Sequence, residues 1–550
     1  MNKTAELDYL IVGAGPAGLQ LGYFLKKNGI NYLILEAGQK AGNFYEKFPR
    51  HRKLISINKV YTGYKEREAQ LRYDWHSLLC DDDQMSFTNY SRRYFPDAGD
   101  YVKYLQDYAE RFELNIKYEA KVAKISKTDR FTVVDEEGNS YVCGCLVMAT
   151  GVSQPYIPEI TGIELTENYY DFDINPDNFI DQRVLILGKS NSALETANSL
   201  VETARAIHLC SPESIKMAWN THYVGHIRGV NNEFIDTYQL KGQNAILDAK
   251  VHKIEWKDGE YCVHIEFSHA QGQKAILAYD QVLVCTGFRF DASIFDQTCK
   301  PELTINNRFP ALTSEWESIN VKDLYFAGTI MQCRDFKKTM SGFVHGFRHN
   351  IQALSQILAQ KYHAVPLPYD SIPVNPKSIV KAVIERVSLS AALFLQPGFL
   401  CDLLVILKSG ATGYYYEDLP VDYVHDTDLG QHNHYYIITM EYGHFEGDSL
   451  KVDREPDPDK AYNDAYLHPV IRRFNGSTLV QEYHLPEHLD NDWRPDGYPG
   501  DRPLIQSLEY IGESDPTQAQ KLYAQRLQAF FEQEIDKATG TGNSLELVVT

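Results

Sequence analysis

The apolar residues of this chain fall in short runs that close on glycine. Asp8-Tyr-Leu-Ile-Val-Gly13 is the first of them, and a continuous apolar run of this kind reads as a parallel strand buried on both faces. Gly13-Ala-Gly15-Pro-Ala-Gly18 follows, then Leu19–Asn28 with helical periodicity and Gly29 as its stop. Tyr32-Leu-Ile-Leu-Glu36 is a second strand, and it ends in an acid. Strand, glycine turn, helix and strand make a βαβ unit whose spacing carries chemistry. Gly13 permits the tight turn, Gly15 lets the backbone approach a pyrophosphate, and Gly18 lets helix and strand pack closely. The helix N-terminus, opened by Pro16 and Ala17, faces the phosphates. Glu36 stands 18 residues past Gly18, where a carboxylate binds ribose hydroxyls. The pattern predicts a dinucleotide site.

A second unit starts at Arg183-Val-Leu-Ile-Leu-Gly188. Its turn reads Gly188-Lys-Ser190-Asn191-Ser192-Ala193, followed by helical Leu194–Thr203 and the strand Ala206–Cys210. Ser190 replaces the second glycine and Ala193 the third, so this site is expected to hold its dinucleotide more loosely. The strand ends at Cys210-Ser211 with no acid. Ser211 and Lys216 are placed to contact a 2′-phosphate, which favours NADPH over NADH, with Glu213 as the counter-argument and NADH left open. Leu146-Val-Met-Ala-Thr150-Gly151 and Val282-Leu-Val-Cys-Thr286-Gly287 bracket this unit as crossing points between domains would. Leu324-Tyr-Phe-Ala-Gly328 is a further buried strand. It leads to Ser341-Gly342-Phe343, which opens a helix running through Gln360.

Composition narrows the class. The chain has 550 residues, 43% hydrophobic and 23% charged, which excludes wholesale disorder. Lys+Arg number 54 against 74 Asp+Glu, and a net charge of −20 argues against nucleic acid as a partner. Nine cysteines without a Cys-x-x-Cys pair indicate mostly buried thiols in a reducing compartment, hence a cytoplasmic location. Cys143 and Cys145 alternate on one strand and read as buried residues. Val387–Leu407 is apolar over a membrane-like length but contains Gln396, Pro397, Gly398 and Asp402, and reads as a buried helix–turn–helix. Residues 411–500 carry 18 Asp+Glu against 6 Lys+Arg, a solvated acidic face. His432 and His434 share a strand face without a convincing carboxylate partner, and no metal site is assigned.

These motifs resemble the two-dinucleotide flavoproteins of the class B monooxygenase type, and more closely the FAD-dependent oxidoreductase domain (ERFAD-like) proteins. The stretches that carry the resemblance are Phe48–Lys59, Thr221-His222-Tyr223-Val224-Gly225, Gly342–Arg348 and His468-Pro469-Val470. It is strong over 8–360 and patchy over 365–500. It departs from the family at two places. Thr161–Asn178 lacks the histidine of the Phe-x-Gly-x-x-x-His fingerprint, and Gly42-Asn43-Phe44-Tyr45 stands where relatives have Gly-Gly-x-Trp. Ser192-Ala193-x-Glu195 looks more like the N-hydroxylating branch.

The resemblance implies an α/β fold with two Rossmann-like dinucleotide-binding domains and an extra C-terminal α+β region. An FAD domain at 1–155 and 285–365 is interrupted by an NAD(P)H domain at 156–284, and an acidic C-terminal domain occupies 366–550. It adds Ala37, Asn43, Phe44, Arg52, Ser56, Val122, Thr150, Gly151, Gly328, Gly342 and Phe343 to the FAD contacts. Gly188, Ser190, Asn191, Ser192 and Ser211 go to NADPH. Asn58, Lys59 and Asp74 are implied as catalytic, with Trp75, His222 and Tyr223 lining the substrate. The activity implied is an FAD-dependent, NAD(P)H-driven monooxygenase that works through a flavin hydroperoxide. Its substrate is an amine, sulfur or similar soft nucleophile, amine-bearing or carrier-bound, with N-hydroxylation favoured and O2 as co-substrate. A homodimer is open, and a membrane partner is disfavoured. The rival readings are a flavin reductase or thiol oxidase passing electrons to a protein partner, and a flavin-stabilised interaction protein.

Overall fold

A computed structural model describes residues 6–407, 411–444, 451–488, 490–495 and 516–539. The chain forms two compact units. One comprises Met1–Asn58, Met85–Ala311 and Ser318–Cys333, the other Lys59–Gln84, Leu312–Glu317 and Arg334–Thr550. The stretches 59–84 and 334–365 therefore belong to the second unit together with the C-terminal part.

The first unit holds two seven-stranded sheets. In one, Glu6–Val12 runs parallel to Tyr32–Leu35 on one side and Ser140–Met148 on the other. Ile116–Lys117 extends the sheet beyond Tyr32–Leu35, and Leu324–Phe326 pairs in parallel with Ser140–Met148. Phe131–Asp135 and Val122–Lys127 complete it as antiparallel strands. Leu10 and Ile11 are fully buried on opposite faces, which is why the strand reads as an unbroken apolar run. Helix Pro16–Lys27 crosses between the first two strands with Pro16 in its first turn and Lys26 and Lys27 in its last, each end suited to the helix dipole.

The second sheet repeats the plan. Arg183–Leu187 is flanked in parallel by Ala206–Ser211 and Gln281–Val284, and helix Asn191–Leu200 is the crossover. Ala245–Lys257 joins in parallel beside Ala206–Ser211, then continues into antiparallel pairing with Glu260–Phe267, which pairs with Lys274–Tyr279.

The second unit carries a six-stranded sheet, in order Asp370–Pro373, Thr412–Pro420, Leu400–Ile406, Tyr435–Tyr442, Leu467–Asn475 and Thr478–His484, all pairs antiparallel. Helices Pro376–Leu389 and Pro516–Thr539 supply Ile379, Val383, Leu527 and Phe531 to the core it shares with Leu404, Tyr436 and Ile438. The helix–turn–helix expected at Val387–Leu407 is half right. A helix ends at Leu389 and a short one spans Ala391–Leu395, but Leu400–Ile406 is a strand. A run buried on every side has no period to distinguish helix from strand. Its Asp402 is buried because Arg386 donates to it at 2.7 Å and to Asp418 at 2.6 Å. No helix among the described residues is long and apolar enough to cross a membrane.

Candidate dinucleotide sites

The first turn is shaped by contacts that leave no room for side chains. Gly13 has φ +106°, and a Cβ there would stand 2.8 Å from Ala149 O. A Cβ on Gly18 would stand 1.9 Å from Gly13 O, so helix and strand meet backbone to backbone. At Gly15, in contrast, a Cβ would meet no protein atom within 4 Å. The space beside Gly15 is open, and Gly15 caps the helix with no side-chain bond of its own and no acid in the first turn. A pyrophosphate fits there, against unpaired N–H groups at the positive end of the helix dipole.

Glu36 is buried, its Oε2 accepting from Ala14 N–H at 2.7 Å and its Oε1 from Gly38 N–H at 2.8 Å. Each oxygen keeps acceptor capacity for a ribose hydroxyl. Ala149 N–H bonds Val12 O, which brings Thr150 and Gly151 to the same strand ends, and a Cβ on Gly328 would press on Ala17 Cβ at 2.6 Å. Asn43 opens the short helix Asn43–Lys47 and lies against Gly38. Arg52, at φ 67°, donates to Glu46 O at 2.9 Å. Val122 is buried at the start of its strand, Phe44 and Ala37 are exposed, and Ser56 is half-buried.

In the second turn Gly188 has φ +128°, with a would-be Cβ 2.4 Å from Cys285 O. Ala193 is fully buried where the first turn has Gly18, so the substitution is a packing change and not a gap. Ser190 caps helix Asn191–Leu200 without a side-chain bond. Asn191 is occupied by its surroundings: Nδ2 donates to Gly225 O and His226 O, and Oδ1 accepts from Arg228 N–H and Asn231 Nδ2. It shapes the loop carrying Tyr223, which packs edge-on against His226 at 5.1 Å, while His222 is exposed at φ 56°. Ser192 offers its carbonyl to Thr196 Oγ1 at 2.8 Å, and Ser211 Oγ donates to Glu213 O at 3.2 Å.

Contacts from the first half of this unit to the second were not legible in sequence. The Arg50 guanidinium donates to the carbonyls of Tyr169, Tyr170 and Phe172. Arg50 N–H also bonds the Tyr169 hydroxyl, which in turn donates to Glu195. Burial pushes the Glu195 carboxyl up to about 7, against the pull of Tyr169 and Arg50. Asn58 is also buried in this unit. Its Nδ2 donates to Ser91 O at 2.7 Å, and its Oδ1 has no hydrogen-bond partner among the described residues.

The second unit gathers the other candidates around the helix Val344–His363, whose N-cap is Phe343, preceded by Gly342. Arg348, fully buried, donates to the carbonyls of Leu71, Asp74 and Ser77 at 2.6–2.9 Å and so fixes the 71–77 loop. The Asp74 carboxylate closes that loop on itself, accepting from the His76 and Ser77 amides and the Ser77 hydroxyl. Trp75 stacks on His345 at 4.7 Å, His345 on Phe343 at 5.8 Å, and Lys59 Nζ lies 4.5 Å from the Trp75 ring centre. Burial first, then Arg348, His76 and Lys59, hold His345 well below the usual imidazole range, so the ring is neutral. Neither of its nitrogens has a hydrogen-bond partner among the described residues. His345 and Arg348 sit inside the Gly342–Arg348 stretch, yet nothing in their spacing singled them out.

Two tandem Rossmann cradles in one compact unit, the first with an acid at the ribose position, define a protein built to hold two dinucleotides, as flavin-dependent oxidoreductases do. The chain belongs to the pyridine nucleotide-disulphide oxidoreductase family, whose model matches residues 10–328. The mouse FAD-dependent oxidoreductase domain-containing protein 2 (Mus musculus) is 34% identical over 537 residues, spanning 90% of this chain and 79% of its own length. Indole-3-pyruvate monooxygenase YUCCA6 of Arabidopsis thaliana is 27% identical over 204 residues, 35% of this chain and 44% of its own. Among solved structures, the bacillithiol disulfide reductase of Staphylococcus aureus aligns at TM-score 0.50 and 19% identity over 65% of this chain and 99% of that one, a likeness of fold.

Proposed function

We propose that this protein is an FAD-dependent, NAD(P)H-driven monooxygenase acting on an amine, sulfur or similar soft nucleophile, with N-hydroxylation favoured. The observation that carries the reading against thiol–disulfide exchange is the state of the cysteines. All nine are free. Burial pushes the Cys143 thiol up to about 12 and Cys210 to about 11, and raises Cys80, Cys285, Cys299 and Cys401 as well. Exchange needs a thiolate, and burial of this kind disfavours one. With six of its thiols held protonated in this way, two nucleotide cradles favour oxygen over a thiol partner as the electron acceptor.

Bound FAD supplies two-electron transfer and oxygen activation. The chain's part is to bind and orient. Gly13, Gly15, Pro16, Ala17, Gly18 and Glu36 hold the flavin dinucleotide, with Ala37, Asn43, Phe44, Arg52, Ser56, Val122, Thr150, Gly151, Gly328, Gly342 and Phe343. Gly188, Ser190, Asn191, Ser192 and Ser211 hold NADPH or NADH. Asn58 keeps its N–H on Ser91 O, and so offers an acceptor to an incoming N–H. Lys59 and Trp75 shape a cationic, aromatic wall on the loop that the Asp74 carboxylate orders, and His222 and Tyr223 meet substrate from their loop. The domain limits that go with this reading are 1–155 and 285–365 for FAD, 156–284 for the nicotinamide nucleotide and 366–550 for the acidic part. The setting that goes with this reading is cytoplasmic, with a small amine-bearing or carrier-bound substrate and a homodimer left open.

The test uses 18O2 and a panel of primary amines and sulfides. One labelled oxygen in the product for each NAD(P)H consumed is expected. NAD(P)H oxidation in which all the oxygen leaves as hydrogen peroxide, with no labelled product, overturns the reading in favour of a reductase or oxidase. Asn58→Ala should keep the flavin and lower the product formed per NAD(P)H. Unchanged coupling would remove Asn58 from the site.

A further inference from the structure

The two cradles are matched by their strand register. In the first, Val12 pairs with Leu35 and Gly13 N–H donates to Leu35 O at 2.7 Å. In the second, Leu187 pairs with Cys210 and Gly188 N–H donates to Cys210 O at 2.9 Å. Glu36 follows Leu35, and Ser211 follows Cys210. Ser211 therefore takes the place of Glu36, and the strand itself brings no acid to the ribose end. The neighbouring strand does. Asp248 is the register partner of Ser211; its carboxylate accepts from Lys189 Nζ and from Ser214 Oγ at 2.7 Å, and His269 Nε2 lies 3.0 Å from it.

The parallel with Glu36 extends to its donors. Ala14, one residue after Gly13, bonds Glu36 through its N–H, and Lys189, one residue after Gly188, bonds Asp248 through its side chain. Burial would raise the Asp248 carboxyl, but the bonds from Lys189 and Ser214 hold it below the ordinary range, so it is ionised. Lys189 is the buried cation of the glycine turn, and this bond engages it. Ser214, from the loop that follows Ser211, is tied to the same carboxylate. Asp248 is thus a displaced acid at the ribose end of the second cradle.

We propose that Asp248 is a specificity residue of the nicotinamide-nucleotide site, one that disfavours the 2′-phosphate of NADPH and opens the site to the bare ribose of NADH. The inference rests on reading the second cradle as that site. Two effects act in the same direction. A fixed carboxylate at the level of Ser211 repels a phosphate dianion, and it holds the nearest buried ammonium away from pairing with one.

The experiment is calorimetric titration of the full-length, FAD-loaded protein with NADP+ and NAD+, which reads affinity without turnover. In Asp248→Asn and Asp248→Ser the Kd ratio of NADP+ to NAD+ should fall on the order of tenfold, through lost repulsion and a released Lys189. Lys189→Met, which leaves the carboxylate without its ammonium partner, should move the ratio the other way. Flavin absorbance and the melting curve report whether each variant has folded. An unchanged or rising ratio in both Asp248 variants overturns the proposal. The wild-type protein is a second, independent check: binding NADP+ more than about tenfold more tightly than NAD+ would overturn it without any variant. Saturable binding of neither nucleotide would overturn it too, by removing the site on which it rests, a result distinct from the oxygen-label outcome that decides the reaction.

Discussion

The two glycine turns have the same strand–turn–helix frame and differ in what fills it. Around Gly15 there is open space and no side chain, and the acid at the expected ribose position, Glu36, directly follows the adjoining strand Tyr32–Leu35. Around Ser190 a side chain occupies the approach, Ala193 replaces the third glycine, and the acid comes from one strand further away. On the proposed reading the first cradle holds its dinucleotide closely and the second exchanges it. That division suits a tightly held flavin paired with a nucleotide that must arrive and leave on every cycle. Fold alone does not separate the two roles; the contents of each turn do.

The largest expected effect is at Gly15. A Cβ there clashes with nothing in the protein, so Gly15→Val should fold, yet its side chain takes the pyrophosphate's place. FAD affinity should fall about 100-fold or more, the equivalent of losing a pair of charge-assisted hydrogen bonds. A folded variant that stays yellow would show that the open space beside Gly15 is not where the phosphates lie. Ser211→Glu makes the second cradle resemble the first. A carboxylate at the position equivalent to Glu36 should shift nucleotide preference toward NAD+ by about tenfold relative to NADP+, and titration with both checks it.

Sequence and structure agree where local backbone geometry is written in consecutive residues. The Gly13–Gly18 turn, Glu36, the Gly188–Ala193 repeat and the strand closing on Gly328 were all legible, because backbone geometry at a tight turn dictates residue type locally. Asp248 was not, since it is a single acid in a strand and acquires meaning only from its register with Ser211 and its bond to Lys189. Glu195 was visible as part of a motif, but its bond to Tyr169 depends on a loop 26 residues away in sequence. Leu400–Ile406 was misread for the opposite reason. It is buried on every side, so its pattern carried no period. Asn58 was legible as a position, but its chemistry was not: the fold spends its N–H on Ser91 and leaves the acceptor.

The smallest effect concerns the link from the loop of Arg50 to the second cradle. Glu195 has its carboxyl raised from 4.5 to about 7 by burial. The native state therefore holds a proton that the unfolded chain has lost. The stability tied to this group is complete below about 4.5 and disappears as pH rises through 7. Glu195→Gln should flatten the fall in melting temperature between pH 5 and 8 by a few degrees, about what a loss of one or two kcal/mol produces. Equal slopes for variant and wild type would mean that Glu195 does not titrate in this window.

The most direct test of the account is anaerobic stopped-flow reduction of the purified protein, followed by flavin absorbance. The two-cradle reading predicts flavin that stays with the protein through gel filtration and is bleached by NADPH or NADH at a rate that saturates with nucleotide concentration, as required of a tightly held acceptor and an exchangeable donor. A colourless protein that rejects added FAD, or bound flavin whose reduction shows no saturation with either nucleotide, would contradict it.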